Sequence, residues 1–593
     1  MMRYFSLLLI SVLVACADGS KSTDNNSPDQ VGNSGSETNL QPDNNGDPSD
    51  PKLTDNKQIS RLLNQASFGA TSQTISAMQG QVFSSWLKSE FDKPISLHSP
   101  LIVKYQGMGL KEHIASMAFW KNAITANDQL RQRMAFTLSQ ILVISDFGES
   151  LLFDYPLSIG YYQDLMTQHA FGNYRELLEA VTYSPAMGFY LTYMGSEKGD
   201  PTTGRMPDEN YAREILQLFT IGLVKLNMDG SVVVDGEGKA IETYTNKDIT
   251  GLAKVFTGLN LYEGLDSNGN EPDENSRHAR AMQTFAESHS TLEKTFLGQT
   301  IAANTSATES ITQALDIIFA HQNLAPFVSR QLIQRFVTSH PSAQYINRVA
   351  NAFETGTYQF SDGTRVGNQV RGDLKATLAA VLTDKEARDT PTNANFGKVK
   401  EPILRFTQWA RAFAGNTITP EYMFNLWDSS ASNSLGQHPY RSPSVFNFYR
   451  PGFIKPASHT GQAGLTMPEL QIVNATTVPG YFNFLSFFIN GEMANETYIK
   501  KYAEFIETDL LSLDPQQAGV SFLADYANEI ALAHDANGLI NHLETLLVSG
   551  ALSDVSRARI LNAINSLPLE SKTKRVRTAV LMVMTTPEFL VQL

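Results

Sequence analysis

From residue 59 onward, apolar side chains recur along the chain with the spacing of an α-helix. Residues 129–145 carry one apolar stripe, made of Leu130, Met134, Leu138, Ile141 and Leu142. Asp128 stands directly before them as a predicted N-cap. Residues 323–337 repeat the pattern, and residues 574–583 predict a further helix that ends before Pro587. The periodicity therefore predicts a mainly α fold.

One region departs from the helical pattern. Residues 223–244 contain two glycine turns, Asp229-Gly230 and the run 235–238, around the valines at 232–234. Glycine turns between short β-branched runs predict a small β-hairpin excursion. We find neither an internal repeat nor a second linker. The sequence thus predicts a single large helical domain over residues 58–593, with one small hairpin and long loops.

The first fifteen residues, MMRYFSLLLISVLVA, have one Arg followed by a short apolar run. A bilayer-spanning helix needs about 20 apolar residues, so this run is typical of a secretory signal instead. Cys16 is the only cysteine of the chain and follows Leu-Val-Ala. This segment resembles the lipobox of bacterial lipoproteins, which implies cleavage after residue 15, acylation of Cys16 and attachment to a membrane. Ala17 differs from the Asp that resembles an inner-membrane retention signal, so the outer membrane is favoured, on either its periplasmic or its surface face. The alternative is an ordinary signal peptide that contains a cysteine.

Composition narrows the function classes. Residues 17–57 are rich in Asn, Asp, Ser, Gly and Pro, which predicts a disordered tether between Cys16 and the domain. The net charge of −14 argues against a nucleic-acid partner. The sequence has no nucleophile elbow, zinc-protease motif, phosphate-binding loop or dinucleotide fingerprint. We therefore expect no cofactor and no metal.

Residues 208–222, DENYAREILQLFTIG, have the most distinct pattern of polar positions. Read as one helix with Asp208 as N-cap, the segment has an apolar arc of Tyr211, Ala212, Ile215, Leu218 and Phe219. The opposite arc is polar and contains Glu209, Asn210, Arg213, Glu214 and Gln217. Two interpretations stay open: a solvated face with local ion pairs, or a binding or catalytic site.

Several segments together resemble the bacterial family called domain of unknown function 1800. The segments are RLLNQASFGAT, PDENYAREILQLFTIGL, GLAKVFTGL, KTFLG after His289, FVSRQLIQRFV, RSPSVFNFYRPGF and TTPEFLVQ. The resemblance implies a secreted bacterial protein without an assigned activity. Members are often encoded beside a second secreted family that resembles sulfatases and alkaline phosphatases, which implies a partner protein of that kind.

One common form of the family has three histidines that fall on Ser139, Ile141 and Phe219 of this sequence, so a metal site that those histidines would form is in doubt here. His289, Lys294, Arg441 and Arg450 remain as candidate site residues. The two arginines would clamp a carboxylate, phosphate or sulfate, or instead cap helix ends or pair with Glu209 and Glu214 inside the domain.

Two functions therefore remain. The first is a non-catalytic envelope module that binds or scaffolds another secreted protein. The second is a hydrolase that uses Glu209, Glu214, His289 and the arginines, because paired carboxylates perform acid–base chemistry when burial separates their pKa values. Convergence of these residues on one pocket would favour the enzyme.

Overall fold

The computed structural model describes residues 52–107, 113–148, 151–265, 269–389, 395–414, 426, 428–492 and 523–593. The signal segment, Cys16 and nearly all of the tether lie outside these residues. The helices are α1 (Asn56–Ala66), α2 (Ser72–Met78), α3 (Phe83–Phe91), α4 (Ser99–Gly107), α5 (Ile114–Thr125), α6 (Gln129–Ser139), α7 (Leu151–Asp154), α8 (Pro156–Gln168), α9 (Tyr174–Thr182), α10 (Pro185–Tyr190), α11 (Asn210–Glu214), α12 (Asn246–Ala253), α13 (Glu274–His278), α14 (Ala307–Phe319), α15 (Leu324–Phe336), α16 (Ala343–Thr355), α17 (Leu374–Thr383), α18 (Lys385–Arg388), α19 (Pro402–Ala414), α20 (His459–Gln462), α21 (Thr477–Ile489), α22 (Ala527–Leu532), α23 (Ala536–Val548), α24 (Asp554–Asn565), α25 (Lys572–Met584) and α26 (Pro587–Leu590).

The strands are short and pair two by two. They are β1 (Leu259–Asn260) with β2 (Gln283–Thr284), β3 (Lys294–Phe296) with β4 (Gln299–Ile301), β5 (Tyr358–Gln359) with β6 (Arg365–Val366), and β7 (Lys398–Val399) with β8 (Val591–Gln592), all antiparallel. The mainly α fold predicted from the periodicity is confirmed. Across the described ranges, no helix combines the length and apolarity needed to cross a bilayer.

Helix α6 is buried on every side, which the single apolar stripe did not predict. Arg131 and Arg133 are 7 and 1% exposed, although they lie off the stripe. Arg133 donates to the hydroxyl of Thr137 at 2.8 Å and to the backbone carbonyl of Arg335 on α15. Asp128 occupies the N-cap position, but its carboxylate accepts from the backbone N–H of Ser96 and the side-chain amide of Gln132 rather than from a backbone N–H of the helix. The helix ends at residue 139, earlier than predicted, and backbone carbonyls of other elements accept hydrogen bonds from both buried guanidinium groups.

Residues 223–244, predicted as a β-hairpin of two strands, form three extended segments instead. Antiparallel bridges join Val224 to Glu242, Leu226 to Val232, and Val234 to Ala240. The N–H of Lys225 donates to the carbonyl of residue 241, the N–H of residue 241 to residue 233, and the N–H of residue 233 to residue 225. The excursion is therefore a closed ring of three bridged segments, with a glycine turn at each of two corners.

Asp47–Leu593 form one compact unit. Helix α1 begins at Asp55, whose carboxylate accepts from the N–H of Lys57, and it packs against α23. Ser60 donates across that contact to the carbonyl of Leu546 at 3.4 Å. Strand β8 pairs with β7, directly before α19, and so fixes the C-terminal end of the unit against the centre of the chain. These long-range contacts surround one connected apolar core.

Candidate functional site

The polar segment 208–222 is not one α-helix. Glu209 is the N-cap of α11, while Asp208 accepts from the N–H of Asn210 at 2.8 Å, so the predicted N-cap lies one residue too early. After Glu214 the chain continues as a π-helix, Ile215–Thr220. The hydroxyl of Thr220 donates to the carbonyl of Ile215, five residues back, and so supports the wider turn. π-helical turns are rare and are frequent at functional sites.

Aromatic packing holds α11 on the domain. The Tyr211 ring is fully buried, stacks on Tyr193 with 4.2 Å between ring centroids, and meets Phe256 edge-on at 4.7 Å. Its hydroxyl lies 2.8 Å from the hydroxyl of Thr182 on α9. Because this side of the helix is fixed, the opposite side is held in one orientation toward solvent.

That opposite side is a continuous polar surface, which we call the α11 polar face: Asp208, Glu209, Asn210, Arg213, Glu214 and Gln217. Glu209 and Arg213 form an ion pair at 3.5 Å, and both side chains are 40% exposed. The hydroxyl of Thr250 on α12 donates to Glu209 at 2.9 Å. Asn210 donates to the hydroxyl of Thr192 at 2.7 Å, and Thr192 donates in turn to Asp208 at 2.8 Å. The face is therefore accessible and ordered by its own hydrogen bonds.

Glu214 differs from the other carboxylates of the face. It is half-buried, and among the described residues one of its buried oxygens, Oε2, has no hydrogen-bond partner. Burial raises the pKa of its carboxyl to about 7, and the charge of Arg213 opposes this rise only in part. Burial, followed by the Glu214 carboxylate, raises the pKa of both Tyr190 and Tyr244 to about 12. Glu214 is thus a group that exchanges a proton near neutral pH beside two tyrosines.

The structure places His289 and Lys294 inside the domain, away from solvent. His289 is 3% exposed, and its Nδ1 lies 2.8 Å from the carbonyl of Thr257. Its Nε2 lies 3.4 Å from the hydroxyl of Ser310, and burial lowers its pKa, so the ring is neutral. Lys294 is fully buried and donates to the carbonyl of Leu292 at 3.2 Å. These two residues hold loops together and do not join the α11 polar face.

Arg441 belongs to a second polar cluster. It pairs with Asp146 at 3.1 Å and with Asp428 at 3.5 Å. Burial raises the pKa of Asp146 to about 6 despite that pairing. Nearby, fully buried His438 has Ser429 and Ser116 at its two ring nitrogens, at 3.0 and 2.8 Å, and burial lowers its pKa to about 3. The sequence-based idea that Arg441 pairs with Glu209 or Glu214 is wrong for the described residues.

Arg450 is exposed and lies over the ring of Phe446, 4.4 Å from the ring centroid. Among the described residues it forms no ion pair, so its predicted pairing with Glu209 or Glu214 is wrong as well. The candidate residues therefore divide into the α11 polar face, the buried pair His289 and Lys294, the Arg441 cluster, and Arg450 at the surface.

At the three positions where one form of the family has histidines, Ile141 and Phe219 are buried in the apolar core. The hydroxyl of Ser139 donates to the carbonyl of Phe136 at 2.8 Å. In the part of the chain that the structure describes, no three His, Cys, Asp or Glu side chains are placed to hold a metal ion.

Two of these clusters contain groups that no sequence pattern indicates. Tyr190 and Tyr244 lie 24 residues before and 30 residues after Glu214 in the chain, and no local spacing connects them to it. Asp146 and Asp428 were not singled out beside Arg441 for the same reason. Aspartates are common throughout the sequence, so the presence of Asp146 and Asp428 does not by itself predict a contact with Arg441.

Comparison with known proteins yields one match. A family model described as a protein of unknown function (DUF1800) matches residues 61–591. No curated protein and no solved structure matches the chain.

Proposed function

The chain belongs to the DUF1800 family, and from this premise we propose that it is a lipid-anchored envelope protein that binds a second secreted protein through its α11 polar face. The observation that carries the proposal is the accessible ion pair of Glu209 and Arg213, which Thr250 holds in place at the start of a π-helix. A face whose charges are ordered before binding loses little side-chain entropy when a partner docks.

The separation of the other candidate residues also favours binding over catalysis. His289 and Lys294 are buried with backbone carbonyls as partners, and Arg441 is neutralised by Asp146. Each of these groups has a local role in the fold. The charged groups of the α11 polar face are exposed, and the packing of the domain does not account for them. They are therefore the groups that we propose contact a partner.

The anchor in this proposal is a lipid on Cys16, with residues 17–57 as the spacer to the domain. Each buried acyl methylene contributes about 0.8 kcal/mol, so two or three chains hold a protein on a membrane almost permanently. The outer membrane is the favoured location, since Ala17 follows the cysteine. For the partner we propose a secreted protein that resembles sulfatases or alkaline phosphatases.

The test is the affinity of the purified domain for a secreted sulfatase-like or alkaline-phosphatase-like protein from the same bacterium, measured by biolayer interferometry. We expect Glu209→Gln to weaken binding about ten-fold, the usual cost of losing one charged hydrogen bond at an interface. Glu179→Gln on α9 is the matched control, because Glu179 also pairs with an arginine four residues away, Arg175. Equal affinities for all three proteins would refute the role of the face.

A second function, hydrolysis, is favoured by Glu214 alone. A carboxyl group with a pKa of about 7 and an oxygen without a described hydrogen-bond partner is suited to general acid–base catalysis. In that case the purified domain hydrolyses an ester or glycoside, its rate changes with a pKa near 7, and Glu214→Gln abolishes the activity. Unchanged activity in Glu214→Gln would exclude this carboxyl as the catalytic group.

A further inference from the structure

A pocket of about 260 Å³ lies where α19 contacts the first helices of the domain. No residue of the α11 polar face lines it. We call it the α19 pocket and define it by Leu63, Trp86, Glu90, Lys93, Leu130 and Arg411. Its volume approaches the range of pockets that enclose small organic molecules. The motif RLLNQASFGAT supplies part of its wall, and neither the binding face nor the alternative hydrolase site uses that motif.

Close packing builds the wall nearest to α19. Gly69 has a φ of +142°, and a Cβ at this position would lie 2.6 Å from the Cα of Gln408. The loop after α1 therefore lies directly on α19, and the carbonyl of Gly69 accepts from Nε of Arg411 at 2.9 Å. Leu63, Trp86 and Leu130 of α1, α3 and α6 supply the large apolar side chains of the wall, and Ser67, Thr74, Asn127 and Gln129 add uncharged polar groups. The pocket thus combines an apolar surface with polar groups and has a guanidinium at one side.

Arg411 is the charged group of this pocket that forms no ion pair with a described residue, although the Glu90 carboxylate attracts it from a longer distance. Its Nη1 donates to the carbonyl of Ile124 at 2.6 Å, so backbone carbonyls occupy Nε and Nη1. Among the described residues no carboxylate lies within ion-pair distance, and none accepts from Nη2. Burial lowers the pKa of Arg411 to about 10, which leaves the group charged at neutral pH. Two of the five guanidinium N–H groups donate to these carbonyls, and the two on Nη2 are left for a ligand.

The other two charges of the pocket neutralise each other. Lys93 and Glu90 form an ion pair at 2.5 Å, and Lys93 also donates to the carbonyl of Asn127 at 3.0 Å. With Glu90 matched by Lys93, the lining carries one net positive charge at Arg411. One net positive charge suits a monoanion, while a dianion would leave a second negative charge near Glu90.

We propose that the α19 pocket binds a small organic monocarboxylate, whose carboxylate accepts from Arg411 and whose apolar body lies against Trp86. This site is independent of the α11 polar face, so it stands if the proposed partner binding fails. Arg411 selects ligands that carry an acid group, because its guanidinium pairs with a carboxylate. The apolar side chains of the wall favour an aryl or alkyl body over a fully polar anion such as sulfate.

The experiment is isothermal titration of the purified domain with benzoate, phenylacetate, 3-phenylpropionate and hexanoate, each beside its neutral amide. We expect at least one acid to bind saturably and its amide to bind about ten-fold more weakly, because the amide lacks the charge that Arg411 pairs with. Phenyl phosphate tests the charge argument, and we expect it to bind more weakly than the best acid. The proposal is overturned if no acid binds with a Kd below roughly 10 mM, which is ten-fold weaker than a millimolar ligand. It is also overturned if an acid and its amide bind with equal affinity.

Three variants place the binding in this pocket. Ala126→Phe fills the pocket from its half-exposed rim and should abolish binding, with an unchanged circular dichroism spectrum. Arg411→Gln should weaken the acid about ten-fold and leave the amide unchanged. Glu90→Gln removes the negative charge and should tighten the acid. If Arg411→Gln fails to fold, the loss of acid binding in Ala126→Phe and the tighter acid binding in Glu90→Gln still test the proposal. Unaltered acid binding in Ala126→Phe overturns it.

Discussion

The raised pKa of Glu214 predicts that a neutral side chain at this position stabilises the domain at alkaline pH. The folded carboxyl has a pKa of about 7, against an ordinary value of 4.5. Between these values the folded state holds the proton more tightly than the unfolded state does, so the free energy of unfolding decreases as the pH rises. Below about pH 4.5 both states are protonated, and above about pH 7 the whole destabilisation is present.

The size of the effect follows from the two pKa values. At 1.36 kcal/mol for each pH unit, the difference corresponds to at most about 3 kcal/mol. Glu214 is only partly buried, so solvent screening reduces the expected value to about 1–2 kcal/mol. Glu214→Gln should therefore raise the free energy of unfolding by about 1–2 kcal/mol at pH 8 and by no more than about 0.5 kcal/mol at pH 5.

The assay is urea unfolding of the purified domain at pH 5 and pH 8, after reversibility has been established. Glu209→Gln is the control on the same face, because its carboxylate pairs with Arg213 and accepts from Thr250. It should lower stability by no more than about 1 kcal/mol at either pH. A loss of more than about 1 kcal/mol in Glu214→Gln at pH 8 would refute the reasoning, because it would mean that the ionised carboxylate has a stabilising partner.

Three further predictions concern the fold and the anchor. Lys398 and Glu469 form a fully buried ion pair, so Lys398→Met should cost about 3–5 kcal/mol in urea unfolding, and adding Glu469→Leu should restore part of the loss. A Cβ at Gly251 would lie 1.9 Å from a backbone oxygen of β3, so Gly251→Ala should cost at least about 1–3 kcal/mol, while Gly236→Ala, with open space around it, should stay within about 0.5 kcal/mol of wild type. Cys16→Ser should move the protein from the membrane fraction to the soluble fraction on cell fractionation, and retention in the membrane would contradict the lipid anchor.

Helix positions were predictable where one face packs and the other meets water. Residues 574–583 predict a helix, and α25 spans Lys572–Met584 with its buried residues three and four positions apart, because such spacing is that of one packed helix face. The burial of helix α6 was harder to predict, because an arginine in a helix normally indicates a solvent-exposed position. Arg133 can be buried because the carbonyl of Arg335, some 200 residues further along, accepts a hydrogen bond from its guanidinium. No local window of sequence contains that partner.

The candidate site was predictable in the same partial way. The 3.6-residue period placed Glu209, Arg213 and Glu214 on one arc, and the structure has them on one face. The change from α to π after Glu214 depends on a one-residue shift of hydrogen bonds, which alters no hydrophobic period. The raised pKa of Glu214 depends on how deeply the side chain is buried, and burial is a property of the folded chain.

The structure divides the family motifs by what their residues do. GLAKVFTGL and KTFLG meet at Gly251, whose missing side chain lets α12 lie directly on β3, and this packing accounts for the glycine. Within PDENYAREILQLFTIGL, Tyr211 is likewise explained by its buried aromatic contacts. Glu209 and Arg213 have no such explanation, because an exposed ion pair of this length contributes at most about 1 kcal/mol to stability. A strong effect of these two residues on partner binding, with little effect on unfolding, would therefore identify the α11 polar face as a functional surface.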